Sequence, residues 1–325
     1  MPHNTSSNSC SSPDVGFQSS LYAATFTIIF IPGLLANSIA LWILCRFISK
    51  KNKAIIFMIN LAVADLAHVL SLPLRIFYYI KHTWPFGNFL CLLCFYLKYL
   101  NLYASIVFLT CISVQRCVFL RNPFKAKDWK RRYDVAISTV VWIVVGAACL
   151  PFPIMRSSGL SKNATACFAD LGIKKINTLT SVTMLTVAEL SGFVVPLIVI
   201  VYCTRKTRQF LKNEEHLVKQ SNEKQKALKM VLMCAAVFFI CFTPYHINFI
   251  FYMLVNLNII THCLISNSSI IFHPFSLCLA SINCCLDPVL YYFMASEFRD
   301  EISRHGSTVM RRRLMSKESA SSVKE

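Results

Sequence analysis

Residues 54–80 read AIIFMINLAVADLAHVLSLPLRIFYYI, an apolar run in which Asp65 and Arg75 are the only formally charged side chains. A helix rises about 1.5 Å per residue and the hydrocarbon core of a bilayer is about 30 Å thick, so about 20 such residues cross it. This run is long enough to span. Comparable runs occupy residues 21–45, 89–120, 134–155, 178–204, 227–256 and 268–294, each bounded by polar or charged segments. The fold class read from this pattern is all-α integral membrane, a seven-transmembrane helix bundle. The 325-residue chain as a whole agrees, with 55% hydrophobic and 15% charged residues and a mean hydropathy of +0.54. Such a composition excludes a soluble enzyme. The net charge of +18 then becomes a question of membrane sidedness rather than of nucleic acid, which is not an expected partner. Most of the fifteen cysteines lie within apolar runs (Cys45, Cys111, Cys149, Cys203, Cys234, Cys241, Cys278) and read as small hydrophobes.

Lys and Arg crowd the first, third and fifth connections and the C-terminal tail, whereas the other face carries only Lys81, Arg156, Lys162, Lys174 and Lys175. By the positive-inside bias the N-terminus is extracellular and the C-terminus cytoplasmic, in a multi-pass plasma-membrane protein. The sequons at Asn4, Asn163 and Asn267 all fall on the expected outer side, where glycosylation is possible. No basic segment precedes an apolar core at the N-terminus, so the first span is expected to act as the targeting signal. The expected organisation is an extracellular arm over 1–20, the bundle over 21–294, a short amphipathic interfacial helix over 295–305 with Phe298 down and Arg299 and Arg304 up, and a disordered tail over 306–325.

Polar groups inside the spans are expensive and therefore informative. Asn37, Asp65 and Asp287 are placed to meet in the bundle interior, either as a structural hydrogen-bond network or as a site that holds an ion or switches packing. A sodium ion near Asp65 and Asp287 is the single ion expected. Pro73, Pro151, Pro153, Pro196, Pro244 and Pro288 each remove a helical hydrogen bond, and Pro244 and Pro288 lie deep enough to be hinges.

In chain order, Asn37, the Leu61-Ala-Val-Ala-Asp65 segment, Cys91 and Arg116 at the two ends of the third span, Trp142, Pro196, Cys241-Phe-Thr-Pro244 and Asp287-Pro-Val-Leu-Tyr291 resemble the landmarks of rhodopsin-like (class A) G-protein-coupled receptors. The likeness covers residues 20 to about 305. It implies a Cys91–Cys167 bridge and a second between Cys10 and Cys263, the alternative for Cys10 being a free thiol in the arm. It also implies a switch and coupling set of Asn37, Asp65, Gln115, Arg116, Phe242, Pro244, Asp287, Pro288 and Tyr291. The partners that follow are a heterotrimeric G protein, with arrestin as a further candidate; the basic loops serve equally well to anchor anionic lipid. Four departures stand out. Gln115 replaces the acid usual before Arg116, Lys224 stands near the usual acid of the sixth span, Phe242 replaces the usual tryptophan, and Tyr202 comes two residues before the usual tyrosine position, now Thr204. Weaker restraint of the inactive state is the expectation.

The outer half of the bundle holds Arg75, Tyr79, Lys98, Tyr99, Tyr103, Arg156, Tyr245, His246 and His273. A cation within an apolar helix requires a partner or must snorkel to the interface, and Glu189 and Asp170 are the acids available to supply one. Arg75, Lys98 and Arg156 among tyrosines suit an anionic head group, since guanidinium forks match phosphate and carboxylate. Phe152, Met155, Val182, Met184, Leu185 and Leu190 would wall a hydrocarbon tail, or face lipid. Trp84-Pro-Phe-Gly87, Ser71-Leu-Pro-Leu-Arg75 and Phe242-Thr-Pro-Tyr-His246 resemble the purinoceptor-like branch. Its nucleotide-binding members usually carry a basic residue where Phe249 stands. Lys53-Ala-Ile-Ile-Phe57, Phe95-Tyr-Leu-Lys98-Tyr-Leu100, Arg132-Tyr-Asp-Val135 and Met294-Ala-Ser-Glu-Phe-Arg299 are similar to a small group within that branch responding to lysophosphatidylserine through the twelve/thirteen class of Gα and Rho. The expectation is a lysophospholipid receptor, with a nucleotide receptor or an uncoupled scavenging receptor as alternatives. A transporter or channel would show repeats or acidic rings, and an intramembrane enzyme a catalytic set; neither pattern is present, so neither an enzyme nor a resident metal centre is expected.

Overall fold

A computed structural model describes residues 15–46, 55–151, 153–154, 167–168, 178–214 and 222–291. Seven of its helices are long and apolar enough to cross a membrane: Gly16–Cys45, Ile55–Lys81, Gly87–Arg121, Arg131–Cys149, Thr178–Lys212, Lys224–Asn256 and Cys263–Tyr291, the first to seventh spans. A short helix, Pro123–Asp128, links the third span to the fourth. The bounds follow the apolar runs closely. The fifth and sixth helices extend further because Lys, Arg and Glu are good helix formers and prolong a helix beyond its apolar core. The first helix begins at Val15, which corrects the arm expected over 1–20: the helix has already formed across its last residues. Residues 1–14, the expected interfacial helix at 295–305 and the tail over 306–325 lie outside the described residues.

The third span is the hub, packing against the second, fourth, fifth and sixth; the first rests on the second and seventh, and the sixth on the seventh. Met58, Leu61, Ile106, Phe108, Leu109, Ile112, Phe238 and Phe242 are fully buried between them. Ile28, Trp42, Val140, Ile143, Ile198 and Phe239 lie exposed on the outside of the bundle, where hydrocarbon would cover them. Gly33 permits a close approach: a Cβ there would meet Val69 Cγ2 at 3.1 Å and Cys284 Sγ at 3.4 Å.

The prolines shape the spans by removing donors. Two π-helical turns, Leu190–Val194 and Phe238–Phe242, each end two residues before a proline, Pro196 and Pro244. In the seventh span the helix is interrupted at Ile282. Pro288 has no N–H for the carbonyl four residues earlier, that of Cys284. Asn37 fills the gap: its Nδ2 donates to Cys284 O at 2.6 Å and to Gly33 O at 3.0 Å. Farther along, the Tyr291 hydroxyl donates to Met58 O at 3.3 Å. The fourth span is tied on by Trp142 Nε1 donating to Asn60 Oδ1 at 2.7 Å, with Asn60 Nδ2 donating to Ser138 Oγ at 3.2 Å.

The Cys91–Cys167 disulfide marks what we call the disulfide end of the bundle; Arg116 marks the opposite, arginine end. Replacing Asn37 with Leu leaves the Cys284 carbonyl without its donor. The expected loss is about 1–2 kcal/mol, read as a lower thermal-unfolding midpoint of the detergent-purified chain.

Candidate functional site

The disulfide end is organised around a buried guanidinium. Arg75, in the second span, is 2% exposed, which rules out snorkelling. The turn that carries it packs on the third span, and Nη2 donates to the carbonyl of Cys94. Its Cζ carbon lies 5.4 Å from the ring centre of Phe168 and 6.0 Å from that of Phe26. Phe168 is placed by its neighbour: Cys167 is bonded to Cys91 near the start of the third span, and Phe168 then stacks on Phe95 at 5.3 Å and Tyr79 at 5.8 Å. Tyr79 stacks in turn on Tyr22 at 4.8 Å. Among the described residues no carboxylate pairs with Arg75, and its Nε is buried without a partner. Phe168 was not singled out from sequence, although adjacency to a bridging cysteine is the signal that finds it.

Lys98 and Tyr99 continue the site along the third span, with the ammonium 5.0 Å from the Tyr99 ring centre. One helical turn on, Tyr103 reaches the π turn of the fifth span, where Gly192 leaves room; a Cβ there would lie 2.7 Å from Tyr103 Cε1. Opposite stand Tyr245 and His246 of the sixth span, both buried, and His273 of the seventh, stacked on Tyr252 at 4.0 Å. Glu189 corrects an expectation. It was a candidate partner for the cations, yet both of its oxygens lie 3.1 Å from His246 Nδ1. The π turn beginning at Leu190 and the one before Pro244 rotate these two side chains toward each other. Of the expected wall, Leu185 is buried, whereas Met184 and Leu190 face outward. Arg156, Phe152, Met155 and Asp170 lie outside the described residues. So do Asn4, Asn163 and Cys10; Cys263 is itself disulfide-bonded. Asn267 belongs to the seventh-span helix, and the Ser269 of its sequon is buried with its carbonyl accepting from Asn248 at 3.2 Å. That is not the exposed loop which a glycosylation acceptor needs.

Beneath the site, His68 is buried with both ring nitrogens lacking partners among the described residues. It lines a small pocket in which Lys98, Asn101 and Ser281 stand among Leu102, Leu277 and Ala280. Asn101 Nδ2 donates to Asp65 Oδ1 at 2.9 Å, and Asp287 approaches the same carboxyl. The buried oxygens left without donors here are Asn37 Oδ1, Asp65 Oδ2, both of Asp287 and Asn283 Oδ1, on the face of the seventh span one turn before Asp287. The two neighbouring carboxyls, Asp65 and Asp287, are the hard oxygen donors that a monovalent cation takes.

At the arginine end, Gln115 does not simply leave a gap. Its Nε2 donates to Asp134 Oδ1 at 2.8 Å, and Trp129 Nε1 donates to the same oxygen at 2.8 Å. Asp134 is fully buried in the first turn of the fourth span, where the helix N-terminus favours a carboxylate. Arg116 Nε meets Met230 Sδ of the sixth span at 3.1 Å. Asp134 and Trp129 were missed from sequence, because a lone acid beside Arg131 and Arg132 reads as part of a basic loop. Tyr202 is 52% exposed and points away from this end's interior, consistent with its displaced position. Phe242 is fully buried against Phe238, which stacks on Phe193 at 5.6 Å.

A family model described as 7 transmembrane receptor (rhodopsin family) matches residues 36–291. "Putative P2Y purinoceptor 10" of Homo sapiens is 68% identical over 314 residues, covering 97% of this chain and 92% of its own length. "Probable G-protein coupled receptor 174" of Homo sapiens is 51% identical, covering 91% and 90%. "Lysophosphatidic acid receptor 6" of Mus musculus is 35% identical, covering 94% and 90%. Asp134→Ala removes the acceptor shared by Gln115 and Trp129. It is expected to cost about 1.5–3 kcal/mol in thermal unfolding and, by freeing the base of the third span, to raise basal signalling measured in cells.

Proposed function

The chain belongs to the rhodopsin family of seven-transmembrane receptors, a membrane receptor rather than an enzyme, and from that premise we propose that it detects an anionic lysophospholipid, lysophosphatidylserine. The observation that carries the ligand class is Arg75: a guanidinium 2% exposed, held by a carbonyl and two rings, with no carboxylate among the described residues to neutralise it. Burying a cation this deeply is unfavourable unless an anion joins it. Lys98 on Tyr99 extends the same surface, and Arg156, outside the described residues, is the third expected cation. A phosphate and a carboxylate on one head group suit such a set. The relative named as a lysophosphatidic acid receptor supports a lipid over a nucleotide, as does Phe249 where nucleotide receptors of the branch carry a basic residue.

In this reading the disulfide end faces outside with the N-terminus, in keeping with the oxidising compartment that a disulfide needs. Arg116 and the basic loops meet a G protein of the twelve/thirteen class inside, and arrestin is a second cytoplasmic partner. Sodium held by Asp65 and Asp287, with Asn37 and Asn283 supplying neutral oxygens, would neutralise the buried carboxylates.

The test is Rho-dependent signalling in cells expressing the chain, with lysophosphatidylserine, lysophosphatidic acid and nucleotides applied separately. Lysophosphatidylserine is expected to act at the lowest concentration, and Arg75→Ala and Lys98→Ala, at matched surface expression, to weaken it at least about tenfold, or about 1.4 kcal/mol. A nucleotide response with no lipid response would overturn the ligand assignment.

A further inference from the structure

Among the described residues, Glu189 is the one carboxylate in the half of the bundle where Arg75 and Lys98 lie. It is 6% exposed and His246 is fully buried, so neither side chain is satisfied by water. An ionised carboxylate only accepts hydrogen bonds, so with both Glu189 oxygens 3.1 Å from His246 Nδ1 the ring hydrogen sits on Nδ1. With a single ring hydrogen, placed on Nδ1, Nε2 is an acceptor. Phe193 covers one face of the ring at 4.6 Å, and Tyr103 and Tyr245 close around it edge-on at 5.9 and 5.1 Å. Nε2, on the edge turned away from the Nδ1 contact, is buried and has no partner among the described residues. An acceptor left unmet in a dry interior is costly, and this one is backed by a negative charge.

We propose that Glu189 and His246 form a subsite for the protonated amine of the ligand head group, with His246 Nε2 as the contact atom and Glu189 as the positioning residue. Glu189 holds the ring tautomer and supplies the charge that distinguishes an ammonium from a hydroxyl, because a hydroxyl gains only the hydrogen bond. The site is thereby divided by charge: Arg75 and Lys98 take phosphate and carboxylate, and the dyad takes the cation. A phosphate-only head group leaves the dyad unused, so this subsite sets selectivity among lysophospholipids rather than affinity for all of them. The inference rests on the lysophosphatidylserine reading.

The test compares lysophosphatidylserine with its N-acetyl derivative of the same acyl chain, in cells expressing the full chain and scored by Rho-dependent signalling. Wild type is expected to prefer the free amine. Glu189→Gln, isosteric with the native side chain and matched for surface expression, is expected to lose about tenfold in potency toward the free amine and less than about threefold toward the N-acetyl lipid. Should that variant fail to reach the surface, His246→Gln is expected to show the same selective loss. Equal losses toward both lipids would assign Glu189 a structural role and overturn the inference, as would an unchanged preference for the free amine. Silence of the wild type toward both lipids would remove the lipid reading and this subsite with it, whereas a lipid response whose amine preference survives Glu189→Gln would remove the subsite alone.

Discussion

Within hydrocarbon, no water completes a backbone hydrogen bond, so every carbonyl that loses its helical donor must find another inside the protein. This constraint governs the bundle more than any single packing contact. Pro288 strips the donor from the Cys284 carbonyl, and the Asn37 amide, from the other end of the chain, replaces it at 2.6 Å. Ahead of Pro196 and Pro244 the helices accommodate with π turns instead. Those turns change the rotation of the fifth and sixth spans. That rotation brings Glu189 to His246 and allows Tyr103 to lie against Gly192. Proline positions thus set where polar side chains meet.

Charge at the disulfide end follows from the same scarcity of water. Arg75 is buried by being laid between aromatic rings and against a carbonyl, an arrangement that lowers the cost of the charge without cancelling it. The bridge from Cys91 to Cys167 has a local role here, since it plants Phe168 on the guanidinium. The one nearby carboxylate among the described residues, Glu189, is committed to a histidine. The site therefore presents its positive and negative groups at different places, with Tyr99 beside Lys98 and with Tyr103 and Tyr245 beside His246.

At the arginine end, substitution of an acid by Gln115 is answered from another helix. Asp134 accepts from Gln115 and from Trp129 with one oxygen, joining the third span, the connecting segment and the fourth span at one point. The carboxylate anchors the connecting segment, and Arg116 Nε meets a thioether of the sixth span. Restraint of this end is therefore arranged differently from what the missing acid suggests.

Number, length and order of the spans were legible in the sequence, because crossing about 30 Å of hydrocarbon needs a continuous apolar run, and that is a local property. The landmark residues from Asn37 to Tyr291 were legible for the same reason, each lying at a recognisable place within its own run, and so was the concentration of Arg75, Lys98 and tyrosines in one half of the bundle. Partners were not legible. Glu189 is 57 positions from His246 and Asn37 is 247 from Cys284, and which atoms meet depends on helix rotation, set by π turns and by small residues such as Gly33. Two acids, Glu189 within an apolar run and Asp134 beside Arg131 and Arg132, end on a histidine and on a glutamine–tryptophan pair. Span and composition are decided along the chain; the pairing of buried polar groups is decided only when seven rotations and tilts are packed together.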